Sequence, residues 1–298
     1  MIDFSTIKPY LTKRNIWLAA IFLPPILLVL VMLLMETGSS DYAQMGNAVY
    51  RPESTQGRCQ TEQLKGSAGA THGESTADGI KYNVRTPLNY DPTFPHPLLL
   101  VLSPAGSNRA KTEKTTDLTL AATTAGMIVA YADHPPLSPT TTVELGTIPE
   151  LIAKKWCIDD KRIYITGHSD GGTSAMALAF MSGTKHIPSA IAPSAAGINY
   201  QDLRQRRCPD PIPAMIMHSA KDKLFPGYGK ESAGWWATCN QCDPIPEPLD
   251  NGCSAYTNCA SGIKTWYCEG DKPHSQWPDI NATLIDFFVT SGRKEKQP

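Results

Sequence analysis

The chain has 298 residues, 41% of them hydrophobic, with 27 Lys and Arg against 28 Asp and Glu for a formal net charge of −1. That length suits one large buried core and argues against a second full domain. The balanced charge offers no basic surface for nucleic acid, and no internal repeat is evident.

Residues 1–15 carry Lys8, Lys13 and Arg14, and the uninterrupted apolar run "IWLAAIFLPPILLVLVMLLM" follows at 16–35. This run has the length of a bilayer-crossing helix, and its basic amino side places residues 1–15 in the cytoplasm and the remainder outside. It is longer than a usual signal-peptide core and no A-x-A site follows, so an uncleaved membrane anchor is expected, with a cleaved, secreted form as the alternative. Residues 36–75 are rich in Ser, Gly, Thr and Gln and read as a linker and loosely packed lead-in. The compact domain is expected to start between 55 and 76 and to run to about 292 (76–292 as its body), leaving a charged tail at 293–298.

Within the domain, short β-rich runs alternate with stretches of helical spacing. Strands are expected at 80–87, 97–103, 127–133, 162–167, 189–195, 213–219 and 263–269, and helices at 112–126, 141–156, 171–182 and 280–292. Alternation of this kind predicts an α/β fold with a mostly parallel central sheet flanked by helices. All eight cysteines lie beyond the apolar run. Export favours disulfides over the rival reading of "CNQC" and "CSAYTNC" as a four-thiolate zinc site, with the connectivity open.

The sharpest motif is G-x-S-x-G in "YITGHSDGGTSAMALAF", where Ser169 falls between a strand and a small-residue helix. Gly167, Gly171 and Gly172 leave room for a sharp turn that exposes the hydroxyl at the carboxyl end of the sheet. Serine is a weak nucleophile near neutral pH and needs a histidine base, which an acid must orient. After the buried strand "PAMIMHS" the next loop delivers Asp222, and "WYCEGDKPHSQWP" delivers His274, in the chain order Ser, acid, His. Asp271 is the best rival acid, although it lies close to His274 in sequence. His218 reads as a packed strand residue, and His168 points the wrong way for a base. His72, His96, His134 and His186 have no supporting context.

These stretches resemble the α/β-hydrolase group that contains feruloyl esterases and polyhydroxybutyrate depolymerases. "RIYITGHSDGG" is similar to its nucleophile elbow, "IMHSAKDKLFP" to its acid loop and "NGCSAYTNCASGIKTWYCEGDKPHSQWP" to its cysteine-bearing run into the histidine loop. The likeness covers about residues 80–290. It implies a serine carboxylic-ester hydrolase with Ser169, Asp222 and His274 as catalytic residues and no metal or organic cofactor. The oxyanion would be held by the backbone N–H groups of Ala105 and Asp170. Two departures stand out. Ser103-Pro104 replaces the group's His-Gly, and the histidine loop is one residue longer before Trp277. The Cys- and Pro-rich segment 226–260 falls where related folds place lids, so Tyr228, Trp235, Trp236 and Trp277 are candidate substrate-stacking residues, with mere packing as the alternative. A small or aromatic ester, free or carbohydrate-linked, is the expected substrate. A polyester hydrolase, a peptidase of related fold and an inactive hydrolase-fold binding protein are the competing readings.

Overall fold

The computed structural model describes residues 43–49, 59–60, 62 and 64–291. The expected anchor at 16–35, the cytoplasmic segment and the 293–298 tail lie outside the described residues. Among the described residues no helix is long and apolar enough to cross a membrane.

In chain order the elements are β1 (Ala70–Ser75), β2 (Lys81–Arg85), β3 (His96–Leu102), α1 (Arg109–Thr116), α2 (Thr119–Thr124), β4 (Ile128–Ala132), α3 (Pro139–Leu145), α4 (Ile148–Ala153), β5 (Ile158–His168) and α5 (Asp170–Phe180). They continue through β6 (Ala190–Ser194), α6 (Tyr200–Leu203), β7 (Ala214–Ser219), α7 (Tyr228–Cys239), β8 (Glu247–Pro248), β9 (Cys253–Tyr256), β10 (Thr265–Gly270) and α8 (Asn281–Thr290). The strands form a ten-stranded sheet in the order β1-β2-β4-β3-β5-β6-β7-β10-β9-β8. Its centre, from β4 to β10, is parallel, and β1, β2, β8 and β9 add antiparallel margins at the two edges.

Strand periodicity divides the core between the two faces of this sheet. On β3, Leu98, Leu100 and Leu102 meet a cluster that includes Met176 and Leu178 of α5 and Trp236 of α7. Leu99 and Val101 face the opposite cluster with Tyr164, Phe287 and Phe288. Burial on both faces is why β3 reads as an unbroken apolar run rather than an alternating one.

Several expectations need correction. The helix expected at 112–126 breaks into α1 and α2 at Asp117, whose left-handed φ of 50° ends the first helix. The one expected at 141–156 breaks at Gly146 and Thr147, and Pro149 then sits in the first turn of α4, where a missing N–H costs nothing. The described part of the lead-in is not loose. Gly46 donates to Thr123 Oγ1 at 2.8 Å, Ala48 and Asn89 exchange two hydrogen bonds, and β1 pairs with β2. Segment 226–260 is likewise part of the body of the fold. It supplies α7, which packs on β7 and β10, and the edge strands β8 and β9.

All eight cysteines are paired, as Cys59–Cys157, Cys208–Cys239, Cys242–Cys259 and Cys253–Cys268. The disulfide reading therefore replaces the zinc reading, since no thiolate remains to ligate a metal.

Candidate active site

Strand β5 ends at His168 and α5 begins at Asp170, so Ser169 makes the whole turn. It takes φ 54° and ψ −117°, a conformation that costs a non-glycine residue about 1–3 kcal/mol. Close approach around the turn dictates its glycines. A Cβ on Gly171 would lie 2.1 Å from the Leu102 carbonyl oxygen, and one on Gly172 would lie 2.5 Å from that of Ser194. With hydrogen in those places, α5 packs directly against the ends of β3 and β6. The serine's own N–H donates to the Ser194 carbonyl at 2.9 Å.

Two later loops converge on this turn. Asp222 follows β7, and His274 lies on the loop between β10 and α8. Ser169 Oγ and His274 Nε2 are 2.9 Å apart, and His274 Nδ1 is 2.7 Å from Asp222 Oδ2. A carboxylate only accepts, so Nδ1 carries a proton, and in the neutral form of the ring Nε2 is left to accept from the serine hydroxyl. The other oxygen of Asp222 accepts the amides of Leu224 at 2.9 Å and Phe225 at 3.0 Å. Burial alone would raise the Asp222 carboxyl, but the His274 hydrogen bond and the Phe225 and Leu224 amides outweigh it and hold the group below its ordinary range. The structure thus brings together the three residues read from sequence. It places the rival Asp271 elsewhere, exposed and paired with Lys221 at 3.1 Å.

The two amides expected as oxyanion donors also share this end of the sheet. Asp170 opens α5, where the helix termini leave N–H groups unused and a partial positive charge. Its side chain turns to His134 Nε2 at 3.0 Å. Ala105 is exposed on a turn closed by the Ser107 N–H on the Pro104 carbonyl. Ser103, which stands where the resemblance leads one to expect histidine, is buried. Its Oγ donates to the Ala132 carbonyl at 2.6 Å and accepts from Thr112 Oγ1 at 2.7 Å. These bonds, together with the Gly171–Leu102 contact, set the 103–106 loop beside the start of α5 without the His-Gly that the resemblance leads one to expect.

The aromatic candidates separate. Trp236 is fully buried and Trp235 nearly so, both in the core cluster under α7. Neither ring has a free face for a ligand, which corrects that expectation. Trp277 is also buried. Its Nε1 donates to Asn281 Oδ1 at 2.8 Å, and its ring meets that of His168 edge-on. Tyr228 is different. It is half-buried and stacks on Phe225 at 5.3 Å, and Phe225 in turn meets His274 edge-on at 5.1 Å. Phe225 was missed in sequence, although it follows Asp222 by three residues. A cavity of about 230 Å³ lies under the loop 271–280, lined by Asp222, His274, His218 and Asn251, and Ser169 does not line it.

No family model matches the chain. Feruloyl esterase B of Piromyces equi is 25% identical over 224 residues, which cover 63% of this chain and 41% of that protein. The chain therefore spans less than half the length of that curated relative. Among solved structures, an acetyl xylan esterase from Aspergillus awamori superposes with a TM-score of 0.54 at 14% identity, covering 75% of this chain and 99% of the other. A ferulic acid esterase from Anaeromyces mucronatus gives a TM-score of 0.51 at 16% identity over 85% of this chain and 95% of the other. These likenesses show an α/β-hydrolase fold, and the resemblance to feruloyl esterases read from the three motifs is borne out.

Proposed function

We propose that this chain is a serine carboxylic-ester hydrolase that works through an acyl-enzyme. Ser169 Oγ–H donates its proton to His274 Nε2 as the oxygen attacks the ester carbonyl, and Asp222 stabilises the imidazolium that forms. The backbone N–H groups of Asp170 and Ala105 receive the oxyanion, aided by the positive end of α5. His274 then protonates the departing alkoxide and activates a water that releases the acid. The observation that carries the reading is the continuous path from Ser169 Oγ through His274 to Asp222, at 2.9 and 2.7 Å, on a strained strand-to-helix turn.

An aromatic acyl group of the feruloyl type is the proposed substrate class. The Phe225–Tyr228 pair beside His274 and the feruloyl esterase relative support it. The four disulfides support an oxidising, extracytoplasmic compartment. On the same reading, the apolar run at 16–35 tethers the domain to a membrane, which fractionation of the full-length protein tests.

The activity is tested by assaying p-nitrophenyl acetate and methyl ferulate with the wild type and Ser169→Ala. Hydrolysis of both esters by the wild type, and its loss in a folded Ser169→Ala, is the expected outcome. Equal hydrolysis by the two proteins would remove Ser169 from the chemistry.

A further inference from the structure

His168 and Ser194 are register partners on the adjacent strands β5 and β6, and between them they touch the backbones of both reacting residues. Ser194 accepts the Ser169 N–H through its carbonyl at 2.9 Å. Its hydroxyl oxygen lies 3.0 Å from His168 Nδ1, and His168 Nε2 lies 2.6 Å from the backbone carbonyl of His274. A carbonyl only accepts, so Nε2 carries the proton, and Nδ1 of the neutral ring accepts from the Ser194 hydroxyl. Burial lowers the His168 pKa and keeps the ring in this neutral form.

We propose that His168 is a positioning residue: held by Ser194, it clamps the His274 carbonyl and thereby sets the distance between His274 Nε2 and Ser169 Oγ. This rests on the serine-hydrolase reading given above. The need for such a clamp follows from where His274 sits. Its loop has no regular secondary structure, and Asp271, Pro273, Ser275 and Gln276 around it are exposed. The nucleophile, by contrast, is fixed by the ends of three strands. His168 joins the two across 106 residues of sequence, from a rigid strand to a mobile class of element. Both ring nitrogens of His168 are engaged, by the Ser194 hydroxyl and by the base's backbone carbonyl.

The test compares His168→Leu, His168→Gln and Ser194→Ala with the wild type, measuring kcat and KM on a soluble ester and the second-order rate of labelling by a fluorophosphonate. Labelling needs the Ser169–His274 geometry but little substrate recognition. A displacement near 1 Å costs about 100-fold in rate, so His168→Leu should lose about 30- to 100-fold in both kcat and labelling with KM nearly unchanged. Gln keeps an N–H donor at the reach of Nε2 and should recover at least about 10-fold of that loss. Ser194→Ala should lose about 5-fold, with no further loss when combined with His168→Leu, because the two act as a unit. A folded His168→Leu with wild-type kcat and labelling, or a His168→Gln as impaired as Leu, overturns the proposal. If His168→Leu does not fold, the other two variants decide: Ser194→Ala indistinguishable from the wild type contradicts the clamp, and its selective loss of kcat upholds it. A wild type that neither labels nor hydrolyses any ester would instead sink the serine-hydrolase reading, which is a separate outcome.

Discussion

Asp222 gives one carboxylate oxygen to His274 Nδ1 at 2.7 Å and keeps the other for the backbone of its own loop. The side chain is therefore oriented before the histidine arrives. Asp222→Asn would retain an oxygen for the Leu224 and Phe225 amides, so the loop should keep its shape. Its amide nitrogen would face Nδ1 as a donor and force the wrong tautomer on His274. A fall in kcat of about 10³- to 10⁴-fold is expected with little change in circular dichroism. A folded variant within 10-fold of the wild type would show that Asp222 does not orient the base.

Arg85 and Glu113 form a fully buried bidentate pair joining β2 to α1, with Nε–Oε1 at 2.7 Å and Nη2–Oε2 at 2.6 Å. Removing one partner strands the other charge in the core. Glu113→Ala should cost about 3–5 kcal/mol of unfolding free energy in urea. The kcat of the folded fraction should fall far less than in the Ser169, Asp222 or His274 variants, because α1 carries none of the three reacting side chains and reaches the 103–106 loop through the Thr112–Ser103 bond.

The disulfides should differ in what they protect. Cys59–Cys157 closes a loop of 98 residues and Cys253–Cys268 one of 15. On the chain-entropy model these contribute about 4.7 and about 3 kcal/mol, so replacing the first pair by Ala should lower thermal stability more. The second pair bonds β9 to β10 just before the His274 loop and lines the cavity beneath it. Its loss should cost more activity. Melting temperature and kcat measured on both double variants check the crossed order.

Acid should destabilise the fold in two stages. His168 is held below its ordinary pKa by burial, so the unfolded chain binds a proton that the folded one refuses. Its contribution is present above the unfolded value of about 6.5 and is lost as pH falls from there towards the folded pKa. Asp222, also lowered in the fold, contributes above its unfolded value of about 3.9, and that contribution is lost as pH falls through the folded pKa. Urea midpoints should therefore begin to drop below about pH 6.5, and His168→Gln should reduce that first stage without abolishing it, because burial also lowers His96 and His72.

Ser169 was legible because the glycines around it are required by close backbone contacts, and those leave a sequence mark. Asp222 was legible because its loop follows the buried apolar strand β7, and His274 because its loop follows the last strand, β10, in the chain order Ser, acid, His. Segment 226–260 misled for an equally physical reason. Gly227, Gly229 and Gly234 obscure the helix α7, yet a Cβ on Gly229 would sit 2.1 Å from that of His218. The glycine that weakens the helical signal is the one that lets α7 reach the sheet, and with it Trp235 and Trp236 enter the core. Strand β1 is mostly exposed and β8 has only two residues, so neither carries an apolar pattern to read. The clamp through His168 was out of reach because it joins residues 106 apart through a backbone carbonyl, which carries no side-chain signature.

The most direct measurement is intact-protein and peptide mass spectrometry after treatment with a fluorophosphonate. Only a serine activated by a neighbouring base reacts readily. The expected result is one adduct, located on the peptide that holds Ser169, abolished in Ser169→Ala and strongly slowed in His274→Ala. An unlabelled wild type, or an adduct on any other residue, would contradict the assignment of Ser169 as the nucleophile.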